Sequence, residues 1–260
     1  MSLSSLLTHP PIRYTIRQYF TRHGQGNYLD ELALDSAELW DALRESHPNF
    51  VVPKDRESWL RMVAEETNKD GLDGCLPERA AAIYPLLDQY QIAHARSLGV
   101  GSAGLEYQLK KTSLDRHLTV FEYAPENVEL LKTLFHECNE IRRFDLFGDQ
   151  WGEYANKPAQ VVILNRLDPL FFNEQWTDAF DKMGKAGVVH ILYIPAWILS
   201  AKFYLQAHKR HLRYRLSNTP TVFTGWARTR QVKHRFWAKH YKHTEHALAG
   251  LDGFFLTKRA

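Results

Sequence analysis

The chain has 260 residues, of which 44% are apolar and 13% aromatic, and its formal net charge is +3. A chain of this length and composition can bury a hydrophobic core and carry an accessory segment. Its two cysteines, Cys75 and Cys138, exclude a disulfide framework and lack metal-site spacing. The longest apolar run, residues 188–201, is interrupted by His190 and Pro195 and is short for a membrane span. The N-terminus lacks the charged start of a signal peptide, so we expect a cytoplasmic protein with no bound metal.

The first 92 residues have the patterns of helices. Residues 36–43 and 57–63 each place apolar side chains on one face, and Pro77 begins a third such segment. We therefore predict an N-terminal helical segment over residues 1–92, followed by a second domain over residues 93–260.

The most informative stretch of the chain is a glycine-rich turn. Residues 93–98 have a strand pattern, residues 99–104 form the turn, and residues 105–111 continue as a helix. Strand, glycine turn and helix in this order place backbone N–H groups and a helix N-terminus against a ligand. A second strand pattern ends on Glu122, 18 residues after Gly104. A carboxylate there can accept hydrogen bonds from both hydroxyls of a ribose, which indicates a cofactor that contains a nucleoside.

Two kinds of cofactor fit this arrangement. The three glycines of the turn satisfy G-x-G-x-x-G, the pattern of NAD(P)-binding folds. The chain also resembles class I S-adenosyl-L-methionine (SAM)-dependent methyltransferases, whose first motif is an acid, one residue and a G-x-G-x-G turn. Residues 98–102 match the core of that motif. Ser97 stands where the family usually has its acid, and Ala103 where its third glycine falls.

The order of the later elements is also similar to that family. Strand patterns cover residues 161–164 and 188–194, and we expect a closing strand pair at residues 221–226 and 253–257. The resemblance implies an α/β fold, a Rossmann-like and mostly parallel sheet of seven strands with helices on both faces. An NAD(P) enzyme would also need a substrate domain, and strands occupy nearly all of the chain after the turn. The order of elements therefore favours a methyltransferase.

The resemblance implies that S-adenosyl-L-methionine is the cofactor and that strand ends hold it. The family places an acid or amide of the third strand region beside the adenine, and its fourth motif against the methyl group. The residues implied to contact the cofactor are Gly99, Val100, Gly101, Ser102, Glu122, Tyr123, Asp145, Leu146 and Asn165.

Candidate catalytic residues follow from position in the predicted sheet. Asp168 comes just after an apolar strand, at the edge where ligands bind in open parallel sheets. We expect Asp168 either to contact the substrate and act as a base, or to cap the helix that begins near Asn173. His190 lies among apolar neighbours, as a core histidine does. His240, His243 and His246 are three residues apart, but no matching acid or cysteine supports a metal site there.

The positive charge is concentrated at the C-terminal end. Residues 201–260 contain 13 basic and 2 acidic side chains, whereas both earlier parts of the chain are net acidic. We predict a helix over residues 198–216 that carries Lys209, Arg210, Arg213 and Arg215. Such a face can bind phosphates or nucleic acid through residues 201–242, or it can be a solvated face that complements the acidic N-terminal half.

These observations lead to a functional expectation with alternatives. We expect a SAM-dependent methyltransferase that acts on an oxygen of a small molecule or glycan. The fourth motif lacks the Asn/Asp-Pro-Pro-Tyr run typical of enzymes that methylate base amines. The alternatives are a methyltransferase with an RNA or phosphate-bearing substrate, a non-catalytic SAM-binding protein and, last, an NAD(P) oxidoreductase.

Overall fold

A sheet of seven strands lies at the centre of the computed structural model, which describes residues 14–19, 41, 51–65, 76–113, 115–168, 171–196, 198–201, 203, 205 and 222–259. The strands of the chain are β1 (Tyr14–Tyr19), β2 (His94–Leu98), β3 (His117–Glu122), β4 (Glu140–Arg143), β5 (Gln160–Asn165), β6 (His190–Ile194), β7 (Val222–Ala227), β8 (Tyr241–Leu248) and β9 (Leu251–Lys258). The order in the central sheet is β4-β3-β2-β5-β6-β9-β8, and β1 pairs with β7 in a separate two-stranded ribbon.

The central sheet is mixed, which corrects the expectation of a mostly parallel one. Strands β2 to β6 pair only in parallel with one another. Strand β9 is antiparallel to both of its neighbours, β6 and β8. Strands β8 and β9 are joined by a two-residue hairpin, which forces them to pair antiparallel. Both hairpin residues, Ala249 and Gly250, have positive φ angles of 47° and 88°, as a turn that matches the strand twist requires.

The closing strand pair is β8 and β9, so the assignment of residues 221–226 to it was wrong. Residues 222–226 form most of β7, which pairs with β1 instead. Strand β8 lies at the sheet edge. It is buried only at its two ends, and positions between them such as Lys242 and Glu245 are exposed. Because this edge strand is mostly polar, it lacks the apolar pattern that predicts a buried strand. His243 and His246 therefore lie on a strand and not on a helix.

Helices cover both faces of the sheet, as expected. They are α1 (Arg56–Glu65), α2 (Leu76–Gln89), α3 (Gly104–Thr112), α4 (Pro125–Leu134), α5 (Asn173–Ala186) and α6 (Arg230–Trp237). One core cluster contains residues of the four helices α1, α2, α3 and α4 together with strand residues such as Val161 and Ile163. The other joins α5 and α6 with Val162 and Leu164. Alternate residues of one strand thus enter opposite cores, which explains why β5 is apolar at nearly every position.

The N-terminal segment is only partly helical. Two of the helices expected within residues 1–92 are present as α1 and α2, but the same segment also contains β1. The helices expected over residues 36–43 and 198–216 lie mostly outside the described residues. Within the described ranges, no helix has the length and apolar character to cross a membrane.

Two histidines meet at the edge of the sheet where its parallel strands begin. His94 and His117 are register partners on β2 and β3, and His117 Nδ1 lies 2.9 Å from His94 Nε2. His94 Nε2 also lies 2.8 Å from the hydroxyl of Thr119. Burial, together with the nearby Arg96 and His117, lowers the pKa of His94 to about 4. His94 is therefore neutral in the folded protein at pH 7.

This pKa predicts a pH dependence of stability. An unfolded histidine has a pKa near 6.5, whereas the pKa of folded His94 is about 4. The unfolded chain therefore binds more protons between these two pH values. The free energy of unfolding should therefore fall as the pH is lowered from about 6.5 toward 4. We expect His94→Gln to weaken this dependence, measured by urea denaturation at pH 7 and pH 5. His136→Gln, at an exposed histidine, serves as the control, and equal slopes in all three proteins would contradict the assignment.

Candidate functional site

The glycine turn lies between β2 and α3, where β2 meets β5 and the strand order reverses. Gly99 and Gly101 have φ angles of +62° and +58°, a region that side-chain-bearing residues rarely adopt. A Cβ on Gly99 would lie 2.6 Å from Leu167 Cδ2, whereas a Cβ on Gly101 would meet nothing within 4 Å. The positive φ therefore favours glycine at both positions, Leu167 covers Gly99, and Gly101 presents its backbone to open space. An approaching ligand can reach that backbone directly.

The two departures from the first motif have structural counterparts. Ala103 has a φ of +60°, so the position of the third glycine keeps the left-handed conformation. The Ser97 hydroxyl donates a hydrogen bond of 2.6 Å to Glu106 Oε1, and both side chains are buried. A carboxylate therefore lies beside position 97, but α3 supplies it instead of β2.

Glu122 lies against the turn, as its spacing indicated. Its carboxylate is buried and accepts a hydrogen bond of 3.0 Å from the Gly101 N–H. It also accepts from the N–H groups of Tyr123 at 2.8 Å and Ala124 at 3.3 Å. Asn127 holds the next peptide of the turn, because its Nδ2 donates to the Gly101 carbonyl at 2.9 Å. A ribose bound here would share the Glu122 carboxylate with the Gly101 N–H.

The remaining residues expected beside an adenine are in the loop after β4. Asp145 Oδ1 accepts from the Phe147 N–H at 2.9 Å. This loop is attached to the end of β3 by a 3.0 Å bond from the Phe144 N–H to the Glu122 carbonyl. The side chain of Leu146 is buried in the core, and the guanidinium of Arg143 lies 6.0 Å from the ring of Tyr123. The structure thus brings Tyr123 and Asp145 to the edge that carries the turn.

Asn165 ends β5 on the same edge. Among the described residues, its buried Oδ1 has no hydrogen-bond partner. The next residue, Arg166, has a φ of +60° and donates its N–H to the Ile194 carbonyl at 2.7 Å. This bend directs the chain so that Leu167 covers Gly99. The ends of β2, β3 and β5 therefore lie together at one edge of the sheet.

Asp168 is held in a buried ion pair. Both Asp168 and Lys233 are fully buried, and Lys233 Nζ donates to Asp168 Oδ2. Asp168 Oδ1 accepts from the Ala196 N–H at 2.6 Å. Burial lowers the pKa of Lys233, although the Asp168 carboxylate acts in the opposite direction. With both oxygens engaged and no exposed surface, Asp168 stabilises the segment that follows β5. The catalytic role expected of it stays a prediction.

Arg228 completes this cluster. It is buried, and its guanidinium donates to the Asp168 carbonyl at 2.6 Å, to Asn173 Oδ1 at 2.6 Å and to the Phe171 carbonyl. Arg228 thereby fixes the segment between β5 and α5. Lys233 was missed by the sequence analysis, since it is separated from Asp168 by 65 residues and no local pattern marks the pair.

Several basic residues of the C-terminal segment are paired within the protein. Arg230 contacts both Glu245 and Asp252, and Lys239 contacts Asp181 at 2.6 Å. Lys209, Arg210, Arg213 and Arg215 lie outside the described residues, so phosphate or nucleic-acid binding through them remains a prediction.

The buried pair predicts a large loss of stability for Lys233→Met. The substitution leaves the Asp168 charge buried without its partner, which costs about 3–5 kcal/mol. The double variant Asp168→Asn/Lys233→Met keeps an acceptor for the Ala196 N–H and should recover most of that loss in urea denaturation. Lys239→Met, at an exposed ion pair, should cost no more than about 1 kcal/mol. Equal destabilisation by the single and double variants would rule out the charge as the cause.

Comparison with known proteins gives similarity at the level of fold. No family model and no curated protein sequence matches the chain. Human N-acetylserotonin methyltransferase, solved with SAM, superposes with a TM-score of 0.57 at 17% identity, over 92% of this chain and 64% of that protein. The pyocyanin biosynthetic protein PhzM gives 0.55 at 12% identity, over 88% and 64%.

The mitomycin 7-O-methyltransferase MmcR gives a TM-score of 0.54 at 16% identity, over 85% of this chain and 60% of that protein. The chain spans less than two thirds of the length of each of these three proteins. The chain has the fold of class I SAM-dependent methyltransferases.

Proposed function

We propose that the protein binds S-adenosyl-L-methionine and transfers its methyl group to an oxygen of a small-molecule or glycan acceptor. The observation that carries the proposal is the Gly101 backbone, which faces open space beside the buried carboxylate of Glu122. A nucleoside cofactor needs both features, a close approach to backbone and an acceptor for its ribose hydroxyls. The methyltransferase structures that share this fold support the choice of SAM.

The polar groups of the site fit such a cofactor. Asn127 is buried and its Oδ1 has no hydrogen-bond partner among the described residues, although its Nδ2 is bonded to the turn. Asn165 Oδ1 is in the same situation at the end of β5. Buried acceptors without a donor are rare in folded proteins. Two of them beside one glycine turn support a ligand that brings its own donors.

The strand order argues against NAD(P). Dinucleotide-binding folds usually continue their sheet with parallel strands in the order 3-2-1-4-5-6. Here the strand after β6 in the sheet is β9, which runs antiparallel. The sheet therefore differs from a dinucleotide-binding one at the position where the second nucleotide-binding half would end.

In the proposed reaction, residues of this chain bind and orient the cofactor. The bound cofactor supplies a methyl group made electrophilic by its sulfonium. Glu122 would accept hydrogen bonds from the ribose, the turn would present its backbone, and Asn165 would offer an acceptor at the end of β5. Asp168 and Arg228 hold the segment between β5 and α5 in place. These residues orient the reactants, which is the main contribution a protein makes when the cofactor carries the reactivity.

The acceptor side of the site is apolar. Phe147 and Phe171 pack edge to face with centroids 4.7 Å apart, and the side chain of Phe172 is 52% exposed. They lie in the loops after β4 and β5, and Phe147, Phe171 and Leu167 all pack against the same core cluster. An apolar surface of this kind suits an aromatic or aliphatic small molecule better than a phosphate chain. This favours the small-molecule acceptor over the RNA alternative.

One binding experiment separates the main alternatives. Isothermal titration calorimetry of the whole chain with SAM, S-adenosylhomocysteine (SAH) and NADH should show binding of the first two only. Transfer of a labelled methyl group to a panel of phenols, sugars and RNA then identifies the acceptor class. Binding of SAM without transfer to any acceptor would favour the non-catalytic alternative, and binding of NADH alone would overturn the proposal.

Gly101→Ala tests the turn. The added methyl group enters the open space in front of the backbone and also places an alanine at positive φ, at a cost of about 1–2 kcal/mol. SAH affinity should fall at least about tenfold, equivalent to about 1.4 kcal/mol. Gly152→Ala is the control for the added methyl group, because a Cβ there also meets nothing within 4 Å and Gly152 lies in the segment between β4 and β5. A folded Gly101→Ala protein that binds SAH like the wild type would refute the assignment.

Glu122→Gln tests the ribose contact. Replacing the carboxylate by an amide should weaken SAH binding by about 1.5–3 kcal/mol, the range for hydrogen bonds to charged groups. Glu126→Gln, at an exposed residue of the first turn of α4, should leave affinity unchanged. An SAH analogue without its two ribose hydroxyls should bind wild type and Glu122→Gln equally. If Glu122→Gln loses the same affinity for SAH and for the analogue, relative to the wild type, Glu122 does not bind the ribose.

A further inference from the structure

Helix α1, from the N-terminal segment, contacts the glycine turn directly. Trp59 is fully buried, and its indole Nε1 donates a hydrogen bond of 2.9 Å to the Ser102 carbonyl. The indole ring packs edge to face on Tyr107, with centroids 5.4 Å apart, and against Phe135 at 5.6 Å. Trp59 therefore fills the space between α3 and the end of α4 while it holds one peptide of the turn.

Two further polar contacts fix α1 on either side of Trp59. The Arg56 guanidinium donates to Glu137 Oε1 at 2.5 Å and to the Leu134 carbonyl at the end of α4. Gln108 Nε2 of α3 donates to the Val63 carbonyl at 2.8 Å, in a buried position. Helix α1 is thus attached to both helices that follow the strand ends of the site.

The Ser102 peptide is the part of the turn that most needs support. It lies between Gly101 and Ala103, both with φ near +60°, and an alanine in that region is strained. Glu122 and Asn127 hold the Gly101 peptide from the β3 side. Among the described residues, Trp59 supplies the corresponding side-chain contact to Ser102 from the opposite direction.

We propose that Trp59 is a positioning residue for the cofactor, and that cofactor binding is coupled to the docking of α1. The proposal rests on the proposed function, since it concerns the same turn. If Trp59 keeps the turn in its binding conformation, then a bound cofactor must in turn stabilise α1 on α3 and α4, because coupling between two sites is reciprocal. Helix α1 thereby regulates cofactor affinity through the turn.

The first test compares two tryptophans. Trp59→Phe removes the donor to Ser102, and Trp237→Phe removes a fully buried indole whose Nε1 has no partner among the described residues. Both variants lose a similar volume of core and should lose thermal stability. Only Trp59→Phe should weaken SAH binding, by roughly 2- to 12-fold, the effect of one net hydrogen bond. Equal affinities of the two variants for SAH would overturn the positioning role.

The second test needs no variant and therefore stands even if Trp59→Phe does not fold. Amide hydrogen exchange of the wild type is measured with and without saturating SAH. Exchange of the amides in residues 56–65 should slow together with that in residues 99–104. Protection of the turn without protection of α1 would overturn the coupling. A wild-type protein that does not bind SAH would instead overturn the proposed function, and the positioning role with it.

Discussion

The hydrogen bond from the Gly101 N–H to the Glu122 carboxylate is the contact on which the site depends. It joins the glycine turn after β2 to the end of β3, across 21 residues of sequence. Glu122 is 3% exposed, and a carboxylate buried to this extent requires hydrogen-bond donors around it. The backbone supplies them, so the turn and the strand end behave as one unit. This unit fixes where a ligand can approach the backbone.

The other contacts of the turn leave one direction open. Leu167 closes the side of Gly99, Asn127 holds the Gly101 carbonyl, and Trp59 holds the Ser102 carbonyl. Each contact comes from a different element, namely the β5–α5 loop, α4 and α1. The turn is therefore organised before a ligand arrives, and preorganisation lowers the entropic cost of binding. The exposed face of Gly101 is what remains for the ligand.

The sequence predicted those parts of the fold whose patterns are local. The apolar runs of β5 and β6, the turn, Glu122 and α3 are where periodicity and spacing placed them, because strands buried on both faces are apolar throughout. Strand β8 was not predicted because it is a polar edge strand. Strand β7 was assigned to the wrong sheet because its partner is Tyr14–Tyr19, at the other end of the chain. The Asp168–Lys233 pair escaped for the same reason, since it depends on side chains that only the fold brings together.

Several basic residues of the C-terminal segment are buried or paired with acidic residues in the fold. Lys233 and Arg228 are buried and used to hold the β5–α5 segment, and Arg230 and Lys239 are paired with acidic residues. A count of charges along the sequence therefore overstates the charge that a polyanion would meet. Arg228 and Lys233 stabilise the segment between β5 and α5, on which Phe171 lies. Phosphate or nucleic-acid binding through residues 201–242 stays a prediction, and the exposed Arg235 and Lys242 are the described side chains that can contribute to it.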